Sequence, residues 1–232
     1  MKLRLARYAA LMQATPPLEL EALVRGGLIQ YFFHVSDKHI VEVLPGPAGV
    51  GAASRQLNLL SPTLFKGRGH IRLAHNTLFG WPQSPHSYRC SHIEARNPGA
   101  VIDIGEACTL NNGAVLLAEG AGIRIGARCL IGTEFQVMDT NAHELALGQR
   151  HRADSQTQAV WIGDDVFIGS RVTLLKGCQL GNGCVVAAGS VLQPGFTAPA
   201  LSIVAGNPAR VVGEVKGEVK AAVAVQPTLE PA

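Results

Sequence analysis

The sequence has few of the features that mark several common protein classes. Only 5% of its 232 residues are aromatic, and the formal net charge is +3. It contains no Lys/Arg block and no interleaving of aromatic with basic residues, so we expect no nucleic-acid partner. No apolar run reaches membrane-spanning length, so we expect no transmembrane segment. The chain is nevertheless long enough to bury one sizeable core.

One spacing governs the second half of the chain. Aliphatic residues fall six apart without interruption at Ile162, Ile168, Leu174, Leu180, Val186 and Leu192. Four residues after each of them stand Val166, Val172, Cys178, Cys184, Ser190 and Phe196, of which five are small or medium-sized. A helix would repeat at three and four residues, whereas six is compatible with short strands joined by regular turns. Gly, Asn and Asp would take the turn positions, where positive φ is cheap for them.

Three hexapeptides make one triangular coil of eighteen residues, and stacked coils bury continuous aliphatic ladders. The same six-residue spacing occurs upstream in two runs, at Ile104, Leu110 and Leu116 and then at Ile125, Ile131 and Val137. The sequence therefore predicts an all-β solenoid over residues 61–212. The period vanishes between Val137 and Val160, which places an inserted loop at 139–159. Insertions in repeat proteins map to loops on one face, often the working face.

The two ends of the chain lack this period. We predict a helical or irregular segment over 1–60, with helical stretches at 3–13 and 18–33, and a flexible tail over 213–232. The first residues imitate a signal peptide, but their apolar portion is short and is followed by Pro16-Pro17 and acidic residues. We interpret them as a retained helix of a cytoplasmic protein. A basic amphipathic helix on a membrane surface is the alternative.

Four of the five cysteines occupy the small inward position of the repeat, namely Cys108, Cys129, Cys178 and Cys184. Cysteine there acts as a compact apolar side chain. No C-x-x-C motif occurs, so we expect a reducing compartment and no metal site. Cys90 lies outside the pattern.

The repeat, the insertion with DTNAH and the closing IVAGNPARVV together resemble the hexapeptide-repeat acyltransferases, over roughly residues 70–212. The resemblance is closest to the galactoside, maltose and polysaccharide O-acetyltransferase branch. It implies a left-handed parallel β-helix, a homotrimer, and acetyl-CoA as co-substrate in a groove between neighbouring prisms. It also implies a saccharide acceptor that enters from the opposite end of the groove.

The resemblance assigns the catalytic role to a histidine in the inserted loop, and His143 in Asp139-Thr140-Asn141-Ala142-His143 matches it. A hydroxyl acceptor needs a base that works near neutral pH, which suits an imidazole. Two substrate-binding candidates have open alternatives. Asn112 matches an acceptor-binding asparagine or is a corner residue, and Asp139 binds or orients the acceptor or caps the turn. His151 is interpreted as a solvated loop residue.

Four residues match the cofactor-binding positions of these enzymes. Phe167 stands where the sugar acetyltransferases carry Trp beside the pantetheine arm, and Ser170 and Ala188 match the lining of the CoA channel. Arg210 matches a basic residue near the nucleotide phosphates. Gly213 replaces a second basic residue, and Glu144 replaces the proline that commonly follows the histidine.

The sequence thus predicts an acetyl-CoA-dependent O-acetyltransferase of a sugar hydroxyl in a surface polysaccharide or its precursor. The alternatives are an N-acetyltransferase of an amino sugar and a non-catalytic hexapeptide-repeat subunit. A γ-class carbonic anhydrase shares the fold but needs three zinc-binding histidines on adjacent coils. The histidines other than His143 and His151 all precede residue 93 and do not match that pattern.

Overall fold

A computed structural model describes residues 41–44, 58–85 and 89–217. All of its regular secondary structure in these ranges is β-strand, arranged in three sheets that we number I to III. The helical stretches predicted at 3–13 and 18–33 lie outside the described residues, as does the tail beyond Gly217. Within the described ranges, no helix has the length and apolar character that crossing a bilayer requires.

The strands rotate through the three sheets in turn. Sheet I contains Val41–Val43 (β1), His70–Leu73 (β4), Val101–Ile104 (β7), Ile123–Ile125 (β10), Val160–Ile162 (β13), Gln179–Leu180 (β16) and Thr197–Ala198 (β19). Sheet II contains Asn58–Leu59 (β2), Leu78–Phe79 (β5), Thr109–Leu110 (β8), Leu130–Ile131 (β11), Phe167–Ile168 (β14), Val185–Val186 (β17), Ser202–Gly206 (β20) and Ala209–Glu214 (β21). Sheet III contains Thr63–Gly67 (β3), Ser91–Ala95 (β6), Val115–Ala118 (β9), Gln136–Met138 (β12), Thr173–Leu174 (β15) and Val191–Leu192 (β18).

The register confirms the predicted solenoid. Ile162 pairs with Leu180, eighteen residues later, and Leu180 pairs with Ala198 after another eighteen. Every neighbouring pair is parallel except β20 and β21, which form an antiparallel hairpin at the end of sheet II. The chain is therefore a left-handed parallel β-helix with a triangular cross-section.

The interior is filled by the residues that the spacing predicts. Ile168, Leu174, Val186 and Leu192 are fully buried, and Ile162 and Leu180 nearly so. The small positions are buried as well, apart from Phe196, which is partly buried and packs against the core. The four repeat cysteines are free thiols within this core. Burial raises the pKa of the Cys178 thiol to about 11, in keeping with an unreactive side chain that fills space.

Glycine has two roles at the corners, of which the sequence predicts one. A left-handed conformation recurs every six residues, at Asp165, Arg171, Gly177, Gly183, Gly189, Gly195 and Leu201. The glycines that follow the aliphatic residues, such as Gly169, do not have positive φ. A Cβ on Gly169 would lie 2.6 Å from the backbone nitrogen of Ala188 on the next coil. Here glycine is required because two coils stack backbone to backbone, and not for its conformational freedom.

The strands continue beyond the ends of the predicted 61–212 segment. β1 pairs with β4, and β2 pairs with β5, so residues before 61 already belong to the sheets. At the other end β21 extends to Glu214.

The outer surfaces of sheets I and II differ in character. On sheet I, Glu42, Arg72, Asp103 and Arg124 are successive register partners, and Arg124 lies over the ring of Trp161 at 4.7 Å from its centroid. On sheet II the corresponding row is apolar. We call Leu130, Phe167, Val185 and Ile203, which are successive register partners, the apolar row. Leu130 is 54% exposed and Phe167 is 50% exposed.

Candidate active site

The 139–159 insertion leaves the prism at the edge between sheets III and I. It connects β12 to β13 and contains no strand. Its ends are closed by a hydrogen bond from the Gln158 backbone nitrogen to the Asp139 carbonyl, at 2.8 Å. Loops of this length without strand or helix are uncommon in compact domains and are usually functional. The loop is tied to the coil that precedes it and to the coil that follows it.

Asp139 and Thr140 tie the start of the loop to the preceding coil. Asp139 is fully buried, and its carboxylate accepts hydrogen bonds from the backbone nitrogens of Glu119, Gly120 and Gly122 at 2.7, 3.0 and 2.7 Å. These contacts are those of a turn cap, and they occupy both carboxylate oxygens. The Thr140 hydroxyl donates to Glu119 Oε2 at 2.6 Å.

A buried ion pair ties the end of the loop to the following coil. Lys176 Nζ donates to Asp154 Oδ2 and to the Gln156 carbonyl, both at 2.7 Å. Burial by itself would raise the pKa of the Asp154 carboxyl. The hydrogen bond from Lys176 and those from the backbone nitrogens of Asn141 and Gln156 outweigh it and lower the pKa to about 2. Asp154 is therefore ionised at neutral pH and fixes both ends of the loop.

Glu144 fastens the first and last segments of the loop to each other. Its Oε1 accepts from the Ser155 hydroxyl at 2.6 Å and from the Ser155 backbone nitrogen at 3.0 Å, and these bonds lower the pKa of the Glu144 carboxyl. The Glu144 backbone nitrogen donates to the Arg152 carbonyl at 3.1 Å. Glutamate thus supplies a cross-link at the position where the resembling enzymes commonly have proline.

His143 lies in this fastened segment with its side chain exposed. The backbone nitrogens of Asn141 and Ala142 donate to Asp154 Oδ2 and Thr140 Oγ1, at 2.8 and 2.9 Å. Ala142 has a left-handed φ of 63°, which is unfavourable for alanine without such support. Among the described residues, the His143 imidazole has no hydrogen-bond partner, so it is presented to solvent from a fixed backbone. Arg150, His151 and Arg152 are also exposed, further along the loop.

A polar network on sheet III lies behind the start of the loop. Arg96 donates to Glu119 Oε1 at 3.1 Å and to Glu94 Oε1 at 3.2 Å, and His92 Nε2 lies 2.8 Å from Glu94 Oε2. Burial acts to raise the pKa of the Glu94 carboxyl, but the hydrogen bonds from Arg96 and His92 lower it overall. Glu119 is thus a buried carboxylate with a cationic partner.

Asn112 lies at a different edge, between sheets II and III. Its side chain is fully buried and bonds to the segment 81–85. Oδ1 accepts from the Trp81 backbone nitrogen at 2.9 Å, and Nδ2 donates to the carbonyls of Trp81, Ser84 and Pro85 at 3.0, 3.3 and 3.1 Å. Both polar groups of the carboxamide therefore bind backbone, and they hold the backbone of Trp81 in place.

The four cofactor candidates lie on sheet II and along this same edge. Phe167 belongs to the apolar row, and Ser170 and Ala188 occupy equivalent corners of successive coils. The Ser170 hydroxyl accepts from Thr133 Oγ1 at 3.0 Å. Arg210 is exposed on β21, just after the turn that closes the β20–β21 hairpin. Together they line the half of the prism that follows the loop.

The structure thus divides the predicted residues into two groups. His143 and Asp139 lie at the edge between sheets III and I, whereas Asn112, Ser170 and Ala188 lie at the edge between sheets II and III. Among the described residues, no hydrogen bond or ion pair connects His143 to the four cofactor candidates. The same ranges contain no group of three or more His, Cys, Asp or Glu residues placed to hold a metal ion.

Sequence reasoning missed the residues that fix the loop, namely Thr140, Glu119, Arg96, Asp154 and Lys176. Thr140 and Asp154 lie inside the insertion, where no period constrains them, and the residues that they contact are separated from them along the chain. The one available signal was Lys176 at a corner position of the coil directly after the insertion.

Comparisons with known proteins agree with this architecture. The profile of the bacterial transferase hexapeptide (six repeats) family matches residues 159–194. Serine acetyltransferase 4 of Arabidopsis thaliana is 35% identical over 114 residues, which cover 49% of this chain and 30% of that protein. The putative lipopolysaccharide biosynthesis O-acetyl transferase WbbJ of Escherichia coli is 38% identical over 65 residues, covering 28% of this chain and 32% of that protein.

A solved structure, the polysialic acid O-acetyltransferase OatWY, has a TM-score of 0.52 and 24% identity, covering 68% of this chain and 72% of that chain. This likeness concerns the fold. The chain spans about a third of the length of the first curated relatives it matches. The chain is similar to hexapeptide-repeat acetyltransferases, which confirms the resemblance seen in the sequence.

Proposed function

We propose that the protein is an acetyl-CoA-dependent O-acetyltransferase that acts on a sugar hydroxyl of a surface polysaccharide or its precursor. The observation that carries this proposal is the presentation of His143. The His143 imidazole is exposed, and the backbone just before it is held by hydrogen bonds to Asp154 and Thr140. The loop that carries it belongs to a β-helix whose sequence is similar to that of acetyltransferases. Catalytic groups need such fixed geometry because small displacements cost large factors in rate.

In the proposed reaction His143 acts as general base. Its imidazole removes the proton from the acceptor hydroxyl while the hydroxyl oxygen attacks the thioester carbonyl carbon of acetyl-CoA. The new C–O bond forms, the C–S bond breaks, and the CoA thiolate leaves with a proton returned by the imidazolium. The products are an acetyl ester and CoA.

The edge between sheets II and III suits acetyl-CoA as substrate. Small side chains at Ser170 and Ala188 leave the coil corners open, while the half-exposed Phe167 offers an apolar surface to the pantetheine arm. Arg210 lies on β21, at the end of sheet II, and would pair with a phosphate of the cofactor. A guanidinium is well shaped for such a contact.

The acceptor is proposed to enter from the other end, near Asn112 and Trp81. Asn112 acts there by fixing the segment 81–85, since its own carboxamide is occupied. Asp139 contributes by fixing the turn at which the loop begins. The exposed Arg150 and Arg152 are available to a carboxylate of an acidic sugar, so we include uronic and sialic acids among the acceptors to be tried.

We propose a homotrimer in which the loop edge of one prism meets the cofactor edge of its neighbour. Three features support it: the two groups of candidates lie on different edges, the apolar row is exposed, and Leu145 and Leu147 of the loop are 71% and 90% exposed. Exposed apolar patches of this kind mark interaction sites. Light scattering at micromolar concentration measures the assembly, and a monomer there contradicts the shared site.

The alternative acceptor class is an amine. It is favoured by a match to an N-acetyltransferase of Clostridium perfringens, at 44% identity over 59 residues. Transfer to an amino sugar would give an amide, whereas transfer to a hydroxyl gives an ester. Mild alkali cleaves the ester only, so retention of the acetyl group after this treatment supports the N-acetyltransferase.

The test of the proposed function is an acceptor screen with acetyl-CoA that reads free thiol release. With an active acceptor, His143→Ala is expected to lower kcat by about two to four powers of ten while acetyl-CoA binding persists. His151→Ala, in the same loop, is the matched control and is expected to stay close to the parent. Activity of His143→Ala within about threefold of the parent contradicts the assignment of the base. Absence of turnover with every acceptor class favours the non-catalytic subunit.

We also propose a cytoplasmic location. Four free thiols are buried in the core of the described region, as a reducing compartment allows. Acetyl-CoA as substrate would require the same compartment. Fractionation of cells that produce the tagged protein tests the location.

A further inference from the structure

The two residues before His143 are fixed by separate groups of side chains. Asn141 is held by Asp154, whose carboxylate is paired with Lys176 on the following coil. Ala142 is held by Thr140, which is held in turn by Glu119 on the preceding coil. Because φ of Ala142 is positive, its hydrogen bond has a conformational cost to offset.

The Thr140 hydroxyl has two simultaneous roles in this arrangement. Its oxygen accepts from the Ala142 backbone nitrogen at 2.9 Å, and its proton is donated to Glu119 Oε2 at 2.6 Å. A hydrogen bond to a carboxylate is shorter and stronger than one between neutral groups. The hydroxyl rotor is therefore fixed with its lone pair toward Ala142.

Glu119 is itself held from three sides. Arg96 donates to its Oε1, Asn97 Nδ2 donates to its carbonyl at 2.9 Å, and its backbone nitrogen donates to Asp139. Thr140 is 1% exposed and Glu119 is 7% exposed, so water does not compete freely for these bonds. A continuous series of hydrogen bonds thus runs from sheet III to the residue that precedes His143.

We propose that Thr140 is a positioning residue for His143, because its hydroxyl couples Glu119 to Ala142 and so sets the direction in which the imidazole leaves the loop. This inference rests on the proposed function, in which His143 is the base. Thr140 does not touch the reacting atoms. Loss of its hydroxyl would change turnover through the placement of His143 and leave the cofactor edge as it is.

The test compares Thr140→Val, which removes the hydroxyl with little change of shape, with Thr140→Ser, which keeps it. Thr197→Val on sheet I is the matched control. We expect Thr140→Val to lower kcat by roughly 10- to 100-fold, with the KM for acetyl-CoA within about twofold of the parent. Thr140→Ser and Thr197→Val are expected to remain within about threefold of the parent.

The same substitution in a His143→Ala background separates positioning from general damage. If Thr140 acts through His143, adding Thr140→Val to His143→Ala lowers kcat by less than about twofold. An equal fall in both backgrounds overturns the proposal. So does a Thr140→Val variant with parent activity.

Amide hydrogen exchange provides a readout that needs no turnover. We expect faster exchange at Ala142 in Thr140→Val and not in Thr140→Ser, and unchanged exchange at Ala142 overturns the proposal. If exchange accelerates while His143→Ala keeps parent activity, the hydrogen bond is real but His143 is not the base. That outcome rejects the positioning role together with the proposed function. If His143→Ala loses activity but exchange at Ala142 is unchanged in Thr140→Val, the positioning role alone is rejected.

Discussion

Replacement of Lys176 by methionine should release the 139–159 loop from the solenoid. Lys176→Met removes both hydrogen bonds of the Nζ and leaves the buried Asp154 carboxylate without a cationic partner. The depression of the Asp154 pKa from 3.8 to about 2 corresponds to about 2 kcal/mol of native-state stabilisation. Removal of one partner of a buried pair typically costs about 3–5 kcal/mol. We therefore expect the free energy of loop opening to fall by about 2–5 kcal/mol.

The dependence of this loss on pH follows from the sign of the shift. In the parent, the depressed pKa of Asp154 gives stabilisation that is complete above the ordinary value of 3.8 and is lost as pH falls through about 2. In Lys176→Met the burial remains but the main favourable contact is gone, so the pKa rises. Protonation then relieves the unpaired charge. The difference between variant and parent should be largest near neutral pH and should shrink as the solution is acidified toward pH 4.

Hydrogen exchange of peptides that cover 139–158, measured from pH 4 to pH 8 after correction for the intrinsic rate, checks this prediction. Lys216→Met replaces an exposed lysine and is the control. Exchange should rise in the loop and stay unchanged in β15 and β18. Adding Asp154→Leu to Lys176→Met should restore part of the loss, because it removes the unpaired charge. Parent-like exchange of the loop in Lys176→Met would refute the reasoning.

Three further predictions concern the prism. Arg210→Ala should raise the KM for acetyl-CoA more than it lowers kcat in steady-state kinetics, because phosphate contacts are the same in ground and transition states; an equal loss in kcat would assign Arg210 another role. Gly169→Ala should lower the free energy of unfolding by more than about 2 kcal/mol in urea titrations, because its Cβ would lie 2.6 Å from Ala188 N. Gly213→Ala, which meets nothing closer than 3.7 Å, should change it by less than about 0.5 kcal/mol, and similar losses in both would argue against the contact. Leu130→Glu should shift the assembly to monomers in light scattering, and a persistent trimer would remove the apolar row from the interface.

The sequence was most informative where a period constrains every side chain. A residue every sixth position must return to the same wall of the coil, so Ile168 and Leu174 could be placed inside from spacing alone. The insertion was visible because it breaks the period. Its internal contacts were not visible, because the pairing of Asp154 with Lys176 depends on how the loop folds back onto the next coil. No local propensity encodes such a contact.

The candidate site shows the same limit. Motif matching gave His143 a role, and the alternatives for Asp139 and Asn112 depended on what their side chains contact. Both bind backbone in the structure, which favours the turn-capping alternative for Asp139 and a loop-fixing role for Asn112. The sequence also could not distinguish the two roles of the corner glycines. A corner that needs positive φ and a corner that stacks closely on the next coil both favour glycine, and both recur in the same hexapeptide pattern.

Because register partners on neighbouring coils are eighteen residues apart, the solenoid can change in length without disturbing its sheets only by whole coils. Deletion of 181–198 would join Leu180 to Pro199 and leave every later strand in its own sheet, one coil earlier in the stack. Deletion of only 181–186 would move each later strand to the preceding sheet in chain order and rotate the rest of the prism by a third of a turn. The β20–β21 hairpin and Arg210 would then stand on sheet I instead of sheet II, while the His143 loop stayed in place. Insertions and deletions that preserve the proposed groove should therefore come in steps of one complete coil.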